Sequence, residues 1–446
     1  MKKPANALNS DEDLRAAVIK CSGIVETAVA KSVSSPGLEV ALIRAPTKRY
    51  SIEGVVHDFS NPNKNYADAM REVYQKYGED DLDVTTLFAD ALMNWKPRQL
   101  FRSKTGKAID SSPVLEIRAV LERGSQHPDG KKHPGTPHIA TVADDKFFAR
   151  QGGVNFYSFY RLHNYHSLIY AAMLAGQSRV ALESVDRMEG TITEAMLLTK
   201  SPPMANWLEF FLAVRVHVLI RFGLWSDLKA LPIPTDQVLY CTTTAMTHYG
   251  KAIAHAATND VAQADVQRAL STAAAFRVPP SRLDFPNRIV DILKVATSML
   301  DGEIAYRQGD VDVAFQHLLD AIVHEDNLQY TEPWGWMLPA RHPYGALSLE
   351  QGRVEQARRA YAEDLGLEKT LTRAHAHPRN VWALSGYYEC LVGLGREEEA
   401  REVQEKLVVA KRGADVDVAS SCCCRLGTEG GCVGKGQGKV CGNGET

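Results

Sequence analysis

Residues 309–314 read Gly-Asp-Val-Asp-Val-Ala, and the same arrangement, a glycine followed five residues later by an alanine, recurs at 176–181, 352–357 and 395–400. On either side of these stretches, apolar residues recur at three- and four-residue spacing, which is typical of helices. Glycine ends the first helix because it tolerates a left-handed backbone, and alanine lets the second helix approach closely. Each stretch therefore predicts a turn between two antiparallel helices.

Two weaker versions extend the series. Residues 259–264 lack the glycine, and residues 223–228 carry leucine where the others carry alanine. Alternating patterns typical of strands are scarce, and prolines and glycines fall between the helical stretches rather than inside them. The sequence predicts an all-α protein, an α-solenoid of antiparallel helix pairs in which each pair packs against its neighbours.

These joints resemble the middle of a tetratricopeptide repeat (TPR), in which helix A ends at glycine and helix B carries a small residue at the close contact. A strict array repeats about every 34 residues. Here the six contact positions, from 181 to 400, lie 36 to 50 residues apart. The resemblance therefore implies degenerate units or units with longer connections.

Over roughly residues 40–410, the chain also resembles a group of large bacterial and fungal TPR-containing proteins of poorly defined activity. This resemblance rests on short motifs at 65–70, 83–93, 163–166, 330–334, 341–342 and 382–384. Relatives carry a further helical repeat before the start of this chain, and histidine-bearing helices between the equivalents of Pro128 and Lys146. We therefore expect a shortened member of the group or a gene-model error, and no function of those helices is carried over.

Composition divides the chain into five segments. We expect a partly ordered helical segment at 1–50, an irregular helical front at 51–126, a loop at 127–148, the TPR-like array at 149–410 and a disordered tail at 411–446. The predicted loop is rich in Pro, Gly, Lys and His, and has little apolar content for a core. The tail is rich in glycine, holds five of the eight cysteines, and cannot bury enough apolar surface to offset the entropy of ordering.

The charge balance and the motif content argue against several classes of function. Lys and Arg number 51 and Asp and Glu number 54, and this near-balance argues against nucleic-acid binding through a general basic field. No run of eighteen apolar residues and no secretory signal occur, so we expect a cytoplasmic protein without a membrane span. Nucleotide-loop, Gly-x-Ser-x-Gly and His-Glu-x-x-His motifs are absent, and the sequence assigns no cofactor, no metal and no catalytic residue.

The A helices of a curved array would line a concave face, where we predict a ligand site with aromatic anchors and a few charges. The predicted ligand-binding residues are His163, His166, Arg215, Glu303, Trp336, Arg341, His342 and Trp382.

The first three of these residues each have two interpretations. His163 and His166, three residues apart on a helix, either ligate a metal or line a groove or a helix contact. Arg215, with His217 on an otherwise apolar helix, is either a groove residue or one partner of a structural ion pair.

The tryptophans also have two interpretations. Trp336 and Arg341 either form a clamp for an anion or a peptide terminus, or the tryptophan plugs the core. In the second case, Arg341 pairs with a carboxylate such as Glu303 or Glu332.

The favoured function is a non-catalytic interaction scaffold that binds a peptide, a protein segment or a small anionic ligand on its concave face. The alternative is an enzyme or enzyme subunit, metal-dependent in one version, with its active site in the same groove. A defective fragment that folds poorly is a third interpretation. The sequence leaves the oligomeric state open.

Overall fold

The computed structural model describes residues 11–50, 59–78, 81–97, 100–101, 107–126, 136–153, 157–200, 203–368, 370–371, 375–423 and 425. They form two compact units, divided between Thr136 and Pro137. Regular structure in these ranges is helical apart from one short hairpin and two isolated bridges, which confirms the all-α prediction. None of the helices seen there combines the length and the apolar character needed to cross a membrane.

The first unit is a group of helices around one small core. Its helices are α1 (Asp11–Lys31), α2 (Gly37–Arg44), α3 (Ser60–Tyr77), α4 (Leu82–Trp95) and α5 (Val114–Gln126), with 3-10 turns at Ser32–Ser34 and Ala45–Lys48. Helices α3 and α4 pack together through Met70, Val84 and Phe88, which are buried. The Asp81 carboxylate accepts a hydrogen bond from Val84 N at 2.9 Å and so caps the start of α4.

The second unit contains all of the predicted ligand-binding residues. Its helices are α6 (Thr136–Gln151), α7 (Tyr157–Leu174), α8 (Ser178–Glu189), α9 (Glu194–Leu197), α10 (Ala205–Leu208), α11 (Val214–Arg221), α12 (Trp225–Ala230), α13 (Cys241–Ala257), α14 (Val261–Arg277), α15 (Ile289–Gln308), α16 (Val311–Asp326), α17 (Arg341–Glu350), α18 (Val354–Asp364), α19 (Val381–Gly393) and α20 (Glu397–Lys411). A 3-10 turn lies at Glu209–Ala213, and the strands β1 (Leu283–Asp284) and β2 (Asn287–Arg288) form an antiparallel hairpin.

Helices that follow one another along the chain pack side by side. Contacts join α7 to α8, α13 to α14, α15 to α16, α17 to α18 and α19 to α20. The approach of α15 to α16 is close, because a Cβ on Gly302 would lie 3.0 Å from Leu318 Cγ. One cluster of buried apolar side chains extends through these helices, from Leu162 to Val418.

The joints between these helices have the backbone that their glycines predict. The φ angle is positive at all four strong joints: +71° at Gly176, +89° at Gly309, and +68° at Gly352 and Gly395. The alanine five residues later is buried in each case. In the joint that lacks glycine, Asn259 has a φ of +63°, since asparagine tolerates the left-handed region better than most residues do.

The loop predicted at 127–148 is wrong in its second part, because α6 begins at Thr136; residues 127–135 lie outside the described residues. Helix α6 packs through partly buried polar pairs. The Asp144 carboxylate accepts hydrogen bonds from Tyr157 Oη and Asn164 Nδ2, both at 2.7 Å, and Asp145 accepts one from Tyr165 Oη at 2.7 Å. A search for apolar periodicity misses a helix that is held in this way.

The tail predicted to be disordered at 411–446 is also partly wrong. Val416 and Val418 are buried against the second unit. The Asp415 carboxylate accepts hydrogen bonds from Ser178 N at 2.6 Å and Arg179 N at 3.0 Å, at the first turn of α8. Two valines and one capping carboxylate thus hold this short segment in place, while residues 426–446 lie outside the described residues.

Candidate functional site

The predicted ligand-binding residues do not converge on one groove. Arg215 lines a large groove, His166 lines a separate small cavity, and Trp336 lies next to that cavity. Most of the remainder are held in buried polar contacts. The two interpretations of each predicted site residue must therefore be compared with the structure one residue at a time.

Arg215, on α11, lines the large groove and is also ion-paired. Its Nε and Nη2 donate to Glu189 Oε2 at 2.9 and 2.6 Å, and Nη2 also donates to Asp186 Oδ1 at 2.7 Å. Burial opposes the charge of Arg215, but the two carboxylates raise the pKa of the guanidinium. Burial also opposes the charge of Glu189. It raises the pKa of that carboxyl, and the pairing with Arg215 offsets only part of the rise. Because both carboxylates already occupy the guanidinium, little capacity remains for an added anion.

The groove has a volume of about 670 Å³, within the range of small-ligand sites. One side is apolar and stiff, formed by residues 231–234, which read Leu-Pro-Ile-Pro. The lining also includes the carboxylates of Glu189 and Glu194 and the hydroxyls of Thr243 and Thr247. The groove therefore combines an apolar wall with a polar, acidic one.

The polar wall is held in position by a carboxylate buried beneath it. Glu209 is fully buried and accepts hydrogen bonds from Thr242 N at 3.2 Å, Thr243 N at 2.7 Å and Thr243 Oγ1 at 2.6 Å. Glu194 is exposed and has only a long contact, 3.5 Å, from Tyr240 Oη. Asp236, a further carboxylate of the lining, accepts hydrogen bonds from Val238 N at 3.0 Å and Leu239 N at 2.9 Å. Of the groove carboxylates, Glu194 is thus the one with the fewest contacts within the protein.

A small cavity of about 30 Å³, lined mostly by buried residues, also lies in the second unit. His166 on α7 is 4% exposed, and its Nε2 lies 3.1 Å from Met337 Sδ. Burial lowers the pKa of His166, and that of His217 on α11, to about 3, so both imidazoles are neutral at pH 7. Asp284, from β1, also lines the cavity, and burial raises its pKa to about 7.

Several polar atoms around this cavity have no hydrogen-bond partner in the part of the chain that the structure describes. They include His217 Nδ1 and Thr242 Oγ1, and next to them Tyr249 Oη and Trp336 Nε1. The Trp336 side chain is fully buried, with its ring centroid 4.6 Å from that of His217. The surroundings of Trp336 are thus those of a core residue. His163, on the same helix as His166, is only partly buried.

Arg341 is also ion-paired, but not with the partners that we predicted. Its guanidinium donates two hydrogen bonds to Asp326, at 2.7 and 2.9 Å, and one to Glu363 at 2.9 Å. Glu303 is buried and accepts instead from Arg307, at 2.8 and 2.9 Å. The pairing of Arg341 with Glu303 or Glu332 is therefore wrong.

His342 and Trp382 belong to a buried polar network that includes Arg221. Arg221 Nη2 lies 3.1 Å from His342 Nδ1, and its guanidinium carbon lies 4.9 Å from the Trp382 ring centroid. Because arginine only donates, His342 Nδ1 accepts and its Nε2 carries the proton. Burial lowers the pKa of His342 to about 4. The Trp382 indole donates to Met173 O at 2.7 Å, which anchors α19 to α7.

Asp364, at the end of α18, is the centre of this network. Its carboxylate accepts from His342 Nε2 at 2.9 Å, His377 Nδ1 at 2.7 Å and Asn380 Nδ2 at 2.9 Å. Burial alone would raise the pKa of Asp364, but the two histidines hold it well below its usual value. His377 Nε2 in turn lies 2.6 Å from Tyr170 Oη. Five helices, α7, α11, α17, α18 and α19, therefore share one polar centre.

Sequence reasoning did not single out Asp284, Asp364 or His377. None of them belongs to a recognisable motif, and their partners lie far away along the chain. Within the ranges described above, no group of three or more His, Cys, Asp or Glu residues is placed to hold a metal ion. Comparison with protein-family models and with curated proteins finds no match to this chain.

Proposed function

We propose that the chain is a TPR-like α-solenoid that serves as a non-catalytic interaction scaffold and binds a peptide segment in the Arg215 groove. The repeat architecture is supported by contacts between helices of successive pairs: α13 packs on α15, and α17 packs on α19. Contacts of this kind are expected when first helices of neighbouring pairs line one face.

The groove is the observation on which the proposal rests. Its volume, its rigid Leu-Pro-Ile-Pro wall and its row of hydroxyl and carboxylate groups suit an extended peptide better than a compact polar metabolite. A preformed apolar wall reduces the ordering cost of binding. The peptide that fits carries an apolar side chain against residues 231–234 and a Lys or Arg side chain toward Glu194.

An anionic ligand, one of the predicted classes, is less well supported. Among the described residues that line the groove, Arg215 is the only cationic one, and Glu189 and Asp186 already neutralise it. An anion would have to displace one of these carboxylates, whereas a cation meets Glu194 directly.

Fluorescence anisotropy with labelled ten-residue peptides tests the proposal. One set carries a single Lys or Arg among apolar residues, and a matched set carries Glu at that position. We expect binding of the basic set only. Glu194→Gln should weaken this binding by about 1 kcal/mol, roughly fivefold in Kd, as for a partly exposed ion pair.

Glu402→Gln is the matched control, since Glu402 is an exposed residue of α20 that does not line the groove. Equal binding of acidic and basic peptides, or equal loss in the two variants, would contradict the proposed orientation. Absence of binding to either set would contradict the scaffold itself.

A further inference from the structure

Two imidazoles and two thioethers line the small cavity of the second unit. His166 comes from α7, His217 from α11, Met246 from α13, and Met337 from the segment between α16 and α17. All four side chains are at least nine-tenths buried, with exposed fractions of 4%, 6%, 3% and 2%. Packing of four separate segments thus brings together buried nitrogen and sulfur donors around one cavity.

Two polar atoms of the cavity lack a hydrogen-bond partner among the described residues, His217 Nδ1 and Thr242 Oγ1. Buried polar atoms are nearly always paired, so each exception requires an explanation. A bound species that accepts the lone pair of the imidazole accounts for the first of them. The carboxyl of Asp284 also lines the cavity.

We propose that this cavity is a binding site for one soft monovalent metal ion, Cu(I), held by the imidazoles of His166 and His217 and the thioether of Met337. His166 Nε2 and Met337 Sδ lie 3.1 Å apart. Two donors on one ion, at the distances of about 2.0 Å for nitrogen and 2.3 Å for sulfur that zinc sites show, are roughly 3.0–3.7 Å apart for bond angles near 90–120°. The observed separation lies at the short end of this range and also allows a hydrogen bond between the two side chains when no metal is bound.

The donor set selects the metal. Thioethers are soft ligands that favour Cu(I), and imidazole also binds copper well. Hard cations such as Mg²⁺ and Ca²⁺ need several oxygen ligands, and this lining offers only Asp284 and Thr242. One positive charge is also what the single carboxyl of the cavity balances. A volume of about 30 Å³ accommodates an ion or a few waters but not a larger ligand.

Anaerobic titration with Cu(I), in competition with the chromogenic chelator bicinchoninate, tests the proposal on the full-length protein. The chain has eight cysteines, and thiolates also bind Cu(I). Accessible thiols are therefore first alkylated with iodoacetamide. We expect the alkylated protein to retain one Cu(I) per chain against the chelator and to show no comparable retention of Zn(II).

Met337→Leu removes the thioether and keeps a similar volume, and should weaken Cu(I) binding at least about tenfold, the lower limit for loss of a group that supports a metal site. His217→Gln should have a similar effect. Met173→Leu is the matched control, because Met173 is a fully buried methionine of α7 outside the cavity lining. Circular dichroism establishes that each variant is folded.

X-ray absorption at the copper edge supplies a second readout in the wild type, where we expect nitrogen and thioether-sulfur scattering. Three results would overturn the proposal: no retained copper in folded wild type, which would leave a water-filled cavity; equal retention in Met337→Leu and Met173→Leu; or thiolate coordination alone. None of these results bears on peptide binding in the Arg215 groove.

Discussion

Replacing Asp364 with alanine should destabilise the second unit more than any exposed acidic substitution. Asp364 is 1% exposed and accepts three side-chain hydrogen bonds, from His342, His377 and Asn380. Alanine leaves these donors without an acceptor. Burial lowers the pKa of His377, but Asp364 holds it above its usual value, so the loss of Asp364 also removes the partner of a buried cation. Removing one partner of a buried charged pair costs about 3–5 kcal/mol.

Asp364→Asn should cost less. The carboxamide oxygen can still accept from His342 and Asn380, while its NH₂ group then faces His377 Nδ1. His377 can accept there by carrying its proton on Nε2, which lies 2.6 Å from Tyr170 Oη. We expect a loss of about 1–3 kcal/mol, that of an imperfect set of buried hydrogen bonds. We therefore predict that stability increases from the alanine variant to the asparagine variant to the wild type.

Urea unfolding followed by circular dichroism and tryptophan fluorescence measures both losses. At about 2 °C per kcal/mol, the low end for a unit of this size, Asp364→Ala should also lower Tm by about 6–10 °C. Asp312→Asn is the control, because the Asp312 side chain is 95% exposed. An Asp364→Ala protein within 1 kcal/mol of wild type would refute the view that this carboxylate stabilises the network.

Three further predictions concern pH, packing and the tail. Glu325 is buried and has its pKa raised to about 8 by burial, so between about pH 5 and 8 the folded state keeps a proton that the unfolded state has released. The free energy of unfolding should therefore fall with rising pH by up to about 1.4 kcal/mol per pH unit. Urea titrations at pH 5.5, 6.5 and 7.5 should show that Glu325→Gln lacks this contribution. Equal pH dependence in the variant and the wild type would contradict this. Gly386→Ala should destabilise by about 1–3 kcal/mol, since its Cβ would lie 2.3 Å from Tyr361 Cζ, whereas Gly393→Ala in the same helix meets only an ordinary contact and should not lower Tm. Asp415→Ala removes the cap of α8, so it should lower the free energy of unfolding by about 1 kcal/mol and speed proteolysis of the tail. Asp417→Ala is the control, because Asp417 is exposed, and an equal effect of the two substitutions would contradict the capping role.

The helix joints could be predicted because their causes are local. A left-handed residue such as Gly309 ends α15 by its own conformational preference, and Ala314, five residues later, is small enough for close packing whatever the partner is. Helix α6 could not be predicted, because Asp144 and Asp145 stabilise it through side chains of α7. Its apolar residues, such as Ile139, Val142 and Phe147, do not recur at the spacing of one helix face.

The surroundings of the candidate site residues were decided at longer range. Spacing along the chain places His166 on one face of α7, but only packing brings Met337 to within 3.1 Å of it, 171 residues later. Tyr170 and His377 meet across 207 residues. Glycine, alanine and apolar periodicity act within a few residues and are visible in the sequence. Burial and the pairing of polar groups depend on which segments meet in space, and that is a property of the folded chain.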